Sequence, residues 1–173
     1  MLKGNKISLR PVRERDLETL FELEWDITNR GEFYPLDLTS EAEFKKRFQE
    51  DGFWREDFGL LLIANKADQI VGQILFFKPV SYFDALEVGY ILFDEASRGQ
   101  GYTTEALWLF VRYLFEAKKV NRLQLTVVVG NEASKRVAEK CGFRSEGILR
   151  QAMFTRGKHV DLEMFALLRE ELE

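Results

Sequence analysis

The sequence predicts an α/β domain, one mixed and mostly antiparallel sheet with helices flanking it. Two observations carry this. Three short apolar runs, 60–64, 70–77 and 86–93, follow one another with short connecting segments between them. Residues 102–168 then alternate between helical and extended periods, as strand–helix–strand units do.

The elements follow in order. Ile7 to Arg10 alternates as a strand and Pro11 closes it. From Arg13 to about Asn29, Leu17, Leu20, Phe21 and Trp25 recur at spacings of three and four, giving one apolar helical face that Gly31 ends. Thr39 and Ser40 supply caps for a short helix through Phe44 and Phe48 that stops by Gly52. The runs 60–64 and 70–77 are strands, and Asn65 to Gln69 between them has hairpin length and composition. A third strand spans about 86–93. Leu107, Phe110, Val111, Leu114 and Phe115 mark a helix over 102–118, and the β-branched run 123–129 is a buried strand. Asn131 caps a short helix whose face holds Ala133, Val137, Ala138 and Cys141, with Gly142 just past its end. The stretches 143–149 and 160–168 form a closing strand pair, with Arg156 and Gly157 near the turn.

Composition narrows the function. A chain of 173 residues, 46% hydrophobic and 31% charged, reads as one globular domain over 1–173. No apolar run reaches the roughly 20 residues a membrane span needs, and the N-terminus lacks a signal-peptide pattern. Cys141 is the only cysteine, which excludes an intrachain disulfide and a cysteine-rich metal site, so no metal is expected and a cytoplasmic location is. A net charge of −4 argues against nucleic acid as a partner and suits a cationic one.

The sharpest motif is Arg98, Gly99, Gln100, Gly101, Tyr102 and Thr103, set between the third strand and the long helix. Two glycines let the backbone turn tightly and gather N–H groups, and a helix's first turn adds unpaired N–H groups and partial positive charge. Together they suit a pyrophosphate. A dinucleotide fingerprint fails because its third glycine position falls on Thr104, and no Gly-Lys-Ser/Thr follows to make a P-loop.

The residues resemble the GNAT superfamily, in the branch of ribosomal-protein N-terminal acetyltransferases (the RimJ/RimL type). The likeness rests on Glu87-Val88-Gly89-Tyr90-Ile91-Leu92, the 98–106 stretch, Asn131-Glu132-Ala133-Ser134 and Glu139-Lys140-Cys141-Gly142-Phe143, in the family's order and spacing. Its loop pattern usually closes on glycine or alanine, where this chain has Thr103. The resemblance implies acetyl-CoA as donor, its pyrophosphate on residues 98–103. It implies that strands 86–93 and 123–129 splay, so that free backbone groups of Ile91, Leu92 and Phe93 pair with the pantetheine arm. It implies a cofactor contact from Asn131, beside its role as helix cap. Glu87 becomes a candidate base for the amine and Ser134 a candidate proton donor to the thiolate, with Tyr90 and Tyr102 as further hydroxyls.

Cys141 invites an acetyl-cysteine intermediate, but a thiol at a helix C-terminus faces the negative pole, so it reads as core. His159 lies near a turn with no acid in a recognisable motif. In the family the first two helices wall the acceptor site, so Trp25, Glu32 and Tyr34 are candidate substrate contacts. The acidic stretch Glu22, Glu24, Asp26, Glu32 and Asp37 fits a small-molecule or peptide amine, and Phe53, Trp54 and Phe58 extend an apolar lip. A homodimer is compatible with all of this. The alternative from another class is a non-catalytic sensor or scaffold that binds acyl-CoA in the same cleft.

Overall fold

In a computed structural model that describes residues 1–28 and 30–172, the chain forms β1 (Leu2–Lys3), β2 (Ile7–Pro11), α1 (Leu17–Trp25), α2 (Glu41–Asp51), β3 (Phe58–Asn65), β4 (Ile70–Phe77), β5 (Ala85–Leu92), α3 (Tyr102–Ala117), β6 (Arg122–Val128), α4 (Glu132–Lys140), β7 (Arg144–Thr155) and β8 (Lys158–Leu168). The sheet order is β1-β2-β3-β4-β5-β6-β8-β7. Every pairing is antiparallel except β5 with β6.

Helical period decides what each face buries. Leu107, Phe110, Val111, Leu114 and Phe115 of α3 are all buried against Leu86, Val88, Leu123, Leu125 and Val127. On the opposite face, Leu17 and Leu20 of α1 and Phe44 of α2 pack with Leu60, Leu62, Ile91 and Phe93. Strand alternation therefore sends Glu87 and Ile91 toward α1 and α2, and Val88 and Tyr90 toward α3 and α4.

Four readings shift. The first helix is shorter than its apolar pattern: a 3-10 turn (Glu14–Asp16) precedes it, and Asp26 caps it in a non-helical conformation. Its expected end at Asn29 lies outside the described residues. Ala133 is exposed, so the apolar face of α4 begins at Val137. Phe53 is buried and Trp54 packs edge-on to Phe76, so these two rings belong to the cores rather than to a lip; Phe58 is partly buried against the second core. The closing strands run longer than 143–149 and 160–168, up to an Arg156–Gly157 turn in which both residues take positive φ, matching the twist of a two-residue hairpin.

Candidate active site

The site begins where two neighbouring strands part. β5 and β6 pair only through Ala85 with Arg122, Leu86 with Leu123 and Glu87 with Gln124. Beyond that point β5 stays bonded to β4 as far as Leu92, and β6 to β8 as far as Val128. Their inner edges face each other unpaired, a wedge lined by backbone polar groups.

The phase of the β4–β5 ladder fixes which groups those are. The Phe93 N–H donates to Val71 O at 3.0 Å, and Ile91 stands opposite Gln73 in the same phase. Antiparallel alternation then turns the backbone of Val88, Tyr90 and Leu92 toward the wedge. Of Ile91, Leu92 and Phe93, only Leu92 offers its backbone there. The backbone of Ile91 and the Phe93 N–H turn to β4.

At the wide end, residues 94–101 make a compact loop held by Asp94, which accepts from the Ser97 N–H at 2.6 Å and the Ser97 hydroxyl at 2.9 Å. Gly99 and Gly101 take φ of 73° and 80°, a region that costs other residues about 1–2 kcal/mol. Gly101 is the N-cap of α3 and no side chain caps the helix, so the first-turn N–H groups of Tyr102 and Thr103 have no intrahelical acceptor. Glu105 pins this helix end by accepting from the N–H groups of Asn5, Lys6 and Ile7 at 2.6, 2.8 and 3.0 Å, and Lys6 Nζ donates to Gln100 O at 2.8 Å. The Arg98 guanidinium lies beside Gly31 rather than over the glycines. A diphosphate group fits this cradle of free N–H groups at a helix N-terminus.

At the narrow end, Glu87 Oε2 accepts from Gln124 Nε2 at 3.0 Å and Oε1 from the Thr126 hydroxyl at 3.1 Å. Gln124 is held in that orientation because its oxygen accepts from Arg122 Nε at 3.1 Å, and Arg122 is itself bound to Glu146. On the other face, the Tyr90 hydroxyl lies 2.8 Å from Ser134 Oγ, and the Ser134 N–H donates to Asn131 Oδ1 at 3.1 Å. Asn131 thus caps α4 as expected, and its cap sets the serine against the tyrosine. Burial pushes the Tyr90 phenol up to about 12, only partly offset by Ser134, so it is protonated at neutral pH.

The remaining candidates separate. Tyr34 lines a cavity of about 230 Å³ with Glu24, Arg30, Asp37, Gln73 and Ile91. Trp25 does not: its indole N–H donates to Thr39 O at 2.7 Å and the ring packs on Phe21. Glu32 is exposed, and its carbonyl takes the Arg156 guanidinium from the β7–β8 turn. Cys141 is buried, with burial pushing its thiol up to about 11, which leaves it inert as a nucleophile. His159 stacks edge-on with Phe154 on the exposed hairpin. No group of three or more His, Cys, Asp or Glu among the described residues is arranged to hold a metal, and no described helix is long and apolar enough to cross a membrane.

The geometry agrees with known proteins. Residues 6–144 match the family model described as acetyltransferase (GNAT) domain. A probable N-acetyltransferase, YjcK of Bacillus subtilis (strain 168), is 28% identical over this whole chain and 99% of its own length. The ribosomal-protein-serine acetyltransferase of Escherichia coli (strain K12) is 26% identical over 94% of this chain and 93% of its own. In fold, the spermidine N-acetyltransferase of Vibrio cholerae superposes with a TM-score of 0.84 over 97% of this chain and 98% of that one, at 17% identity. A splayed parallel strand pair, an uncapped helix N-terminus at its wide end and a match over most of the chain all say the same thing: this protein belongs to the GNAT family of acetyl-CoA-dependent N-acetyltransferases.

Proposed function

We propose that this enzyme acetylates a primary amine by direct attack, with Glu87 receiving the amine's proton and the Tyr90–Ser134 pair serving the departing sulfur. The observation that carries the proposal is the placement of these groups on opposite faces of β5, at the point where it leaves β6. Acetyl-CoA supplies an activated acyl thioester. Everything else is the work of this chain's residues.

The 98–103 loop and the first turn of α3 hold the diphosphate, with Gly99, Gln100, Gly101, Tyr102 and Thr103 offering backbone N–H groups. The wedge-facing backbone of Leu92 and Tyr90 orients the pantetheine amides and leaves an N–H for the developing oxyanion. An attacking amine has to be neutral, whereas an α-amine has pKa about 8 and a lysine-like amine about 10.4. Glu87 accepts that proton directly or through a water. Its two donors, Gln124 and Thr126, keep the carboxylate aimed across the wedge. A phenol near 12 does not fully protonate a thiolate of pKa about 8.5, so the Tyr90 and Ser134 hydroxyls stabilise the leaving sulfur by hydrogen bonding, and the released thiolate takes its proton from solvent.

The relatives' acceptors, a ribosomal protein and spermidine, extend to this chain as a class: an amine on a peptide N-terminus or on a small polycation. The whole chain, 1–173, forms the catalytic unit, and its unbridged, buried Cys141 suits a cytoplasmic setting. The test is thiol release from acetyl-CoA across a panel of peptides, polyamines, aminoglycosides and amino sugars. Release that depends on one amine class names the acceptor. Tight acetyl-CoA binding with no release across the panel would contradict the proposal.

A further inference from the structure

One glycine in the sheet has no structural reason to be a glycine. Gly89 lies in the middle of β5, an interior strand, where glycine packs nothing and loses more chain entropy on folding than any other residue. The other strand glycines each have a cause. A Cβ on Gly59 would lie 2.4 Å from the Phe76 ring, and one on Gly72 would lie 2.2 Å from Ile91 O. Gly147 stands beside a bulge of β7 with φ of 137°. Gly89 has neither constraint. Its φ lies outside the left-handed region, and among the described residues an added Cβ would meet only Leu75, at an ordinary 3.5 Å.

The direction of the missing side chain puts it on the acceptor's route. Leu75, its cross-strand partner, packs with the core beneath α1 and α2, so Gly89 faces that side of the sheet, between Glu87 and Ile91. Glu87 is two residues away, about 7 Å along the strand. Although β5 is flanked by strands on both sides, Gly89 remains partly exposed. Its neighbours Val88 and Tyr90 turn their backbone into the wedge, where the proposal above sets the thioester. An amine that passes Glu87 on its way to that carbonyl therefore crosses over Gly89.

We infer that Gly89 is a specificity-determining residue: its missing side chain is the clearance through which the acceptor reaches the thioester, and that clearance sets how much bulk the acceptor carries on the carbon bearing its amine. The inference rests on the acetyl transfer proposed above. The donor is held along the wedge edge of β5 rather than on this face, so the clearance filters the acceptor and not acetyl-CoA. Stability and function conflict here, since alanine suits an interior strand better than glycine but narrows the passage.

The experiment takes wild type, Gly89→Ala and Gly89→Val through three measurements. In thermal melts Gly89→Ala is expected at or above wild type, by up to about 4 °C, because the methyl fits and restricts the unfolded chain. Calorimetric titration of acetyl-CoA is expected to give wild type and Gly89→Ala the same affinity. Thiol release is then followed with peptides that begin with Gly, Ala or Val, and with linear and α-methyl-branched alkylamines. Gly89→Ala is expected to widen the kcat/KM gap between unbranched and branched acceptors by at least about tenfold, and Gly89→Val to extend the loss to the unbranched ones. Unchanged discrimination in Gly89→Ala, weakened acetyl-CoA binding, or a lowered Tm overturns the inference while leaving acetyl transfer intact. Titration of the same amines into the enzyme holding CoA reads the clearance without turnover. Branched amines weakened more than unbranched ones in Gly89→Ala support the inference even if no panel amine is acetylated, and equal weakening overturns it.

Discussion

Replacing Glu87 with glutamine separates chemistry from structure, because the surroundings of this carboxylate accommodate an amide. Gln124 Nε2 donates to one oxygen and the Thr126 hydroxyl to the other. In the variant the amide oxygen turns to Gln124 and the amide nitrogen to Thr126, whose hydroxyl reverses to accept. Every partner stays satisfied, so the stability cost stays within about 1 kcal/mol, or about 2–4 °C in Tm for a chain of this size. The kinetic cost is of another order: a positioned base contributes about 10²–10⁴-fold, so kcat falls by that factor at neutral pH. The deficit also has a shape. A lysine-like amine is neutral in only about one part in 10³ at pH 7, and this fraction rises tenfold per pH unit up to its pKa. The variant's rate climbs along that line, and its deficit against wild type shrinks toward pH 10. The assay is initial-rate thiol release between pH 6.5 and 10, with thermal melts of both proteins. A kcat loss below about tenfold, or a large deficit that does not change with pH, refutes Glu87 as base.

Other substitutions probe the remaining parts. Tyr90→Phe lowers kcat by about ten- to hundredfold with little change in acetyl-CoA affinity, and Ser134→Ala gives a smaller loss; steady-state kinetics on both variants check this. Gly101→Val meets positive φ and the Lys6 ammonium, so it costs about 1–2 kcal/mol in a thermal melt and weakens acetyl-CoA binding at least tenfold by calorimetry. Cys141→Ala retains turnover, and the native thiol reacts slowly with alkylating reagents at pH 8, since its pKa is near 11. Asp16 and Arg10 form a buried, doubly hydrogen-bonded pair at 2.7 and 3.0 Å. Burial alone would raise the Asp16 carboxyl, but Arg10 and the Arg13 N–H outweigh it and hold the folded value below the usual one. Its stabilisation is therefore complete above about pH 4, the unfolded value, and is lost as pH falls through the folded value. Asp16→Asn costs about 3 kcal/mol at pH 7, and the difference in denaturant midpoint between the two proteins narrows below pH 4.

Much of this enzyme was legible before any coordinates, for reasons that differ by element. The helix over 102–117 announced itself because five large apolar residues keep a strict three-and-four spacing, and all five are buried. Asn131 and Ser40 were readable as caps because capping is local chemistry, decided within three residues. Both glycines of the 98–103 loop sit at positive φ as their motif requires. The phase of β5 was not legible. Whether Leu92 or Ile91 and Phe93 turn their backbone to the wedge depends on register with β4, a long-range fact that no local pattern encodes.

Polar networks were missed for a related reason. Arg122, Gln124 and Thr126 alternate along β6, and that alternation was a visible signal of a polar stripe on one face of a buried strand, where the β-branched residues had drawn the reading toward simple burial. Gln73 gave a similar cue as a lone amide in an apolar run. Tyr90 could be suspected as a hydroxyl, yet its pairing with Ser134 joins residues 44 apart and only the fold brings them together. Trp25 and Glu32 show the converse. Their chemistry suited an acceptor wall; the Trp25 indole N–H goes to Thr39 O instead, whereas Arg156 takes only the backbone carbonyl of Glu32 and does not engage its exposed carboxylate.

Acetyl-CoA labelled in the acetyl group follows the transfer from thioester to amine itself. With an amine acceptor present, direct transfer puts the label on the amine in step with released thiol and never on the protein, and Glu87→Gln suppresses both signals together. Label trapped on the protein, or thiol release that outruns amine acetylation, would contradict it.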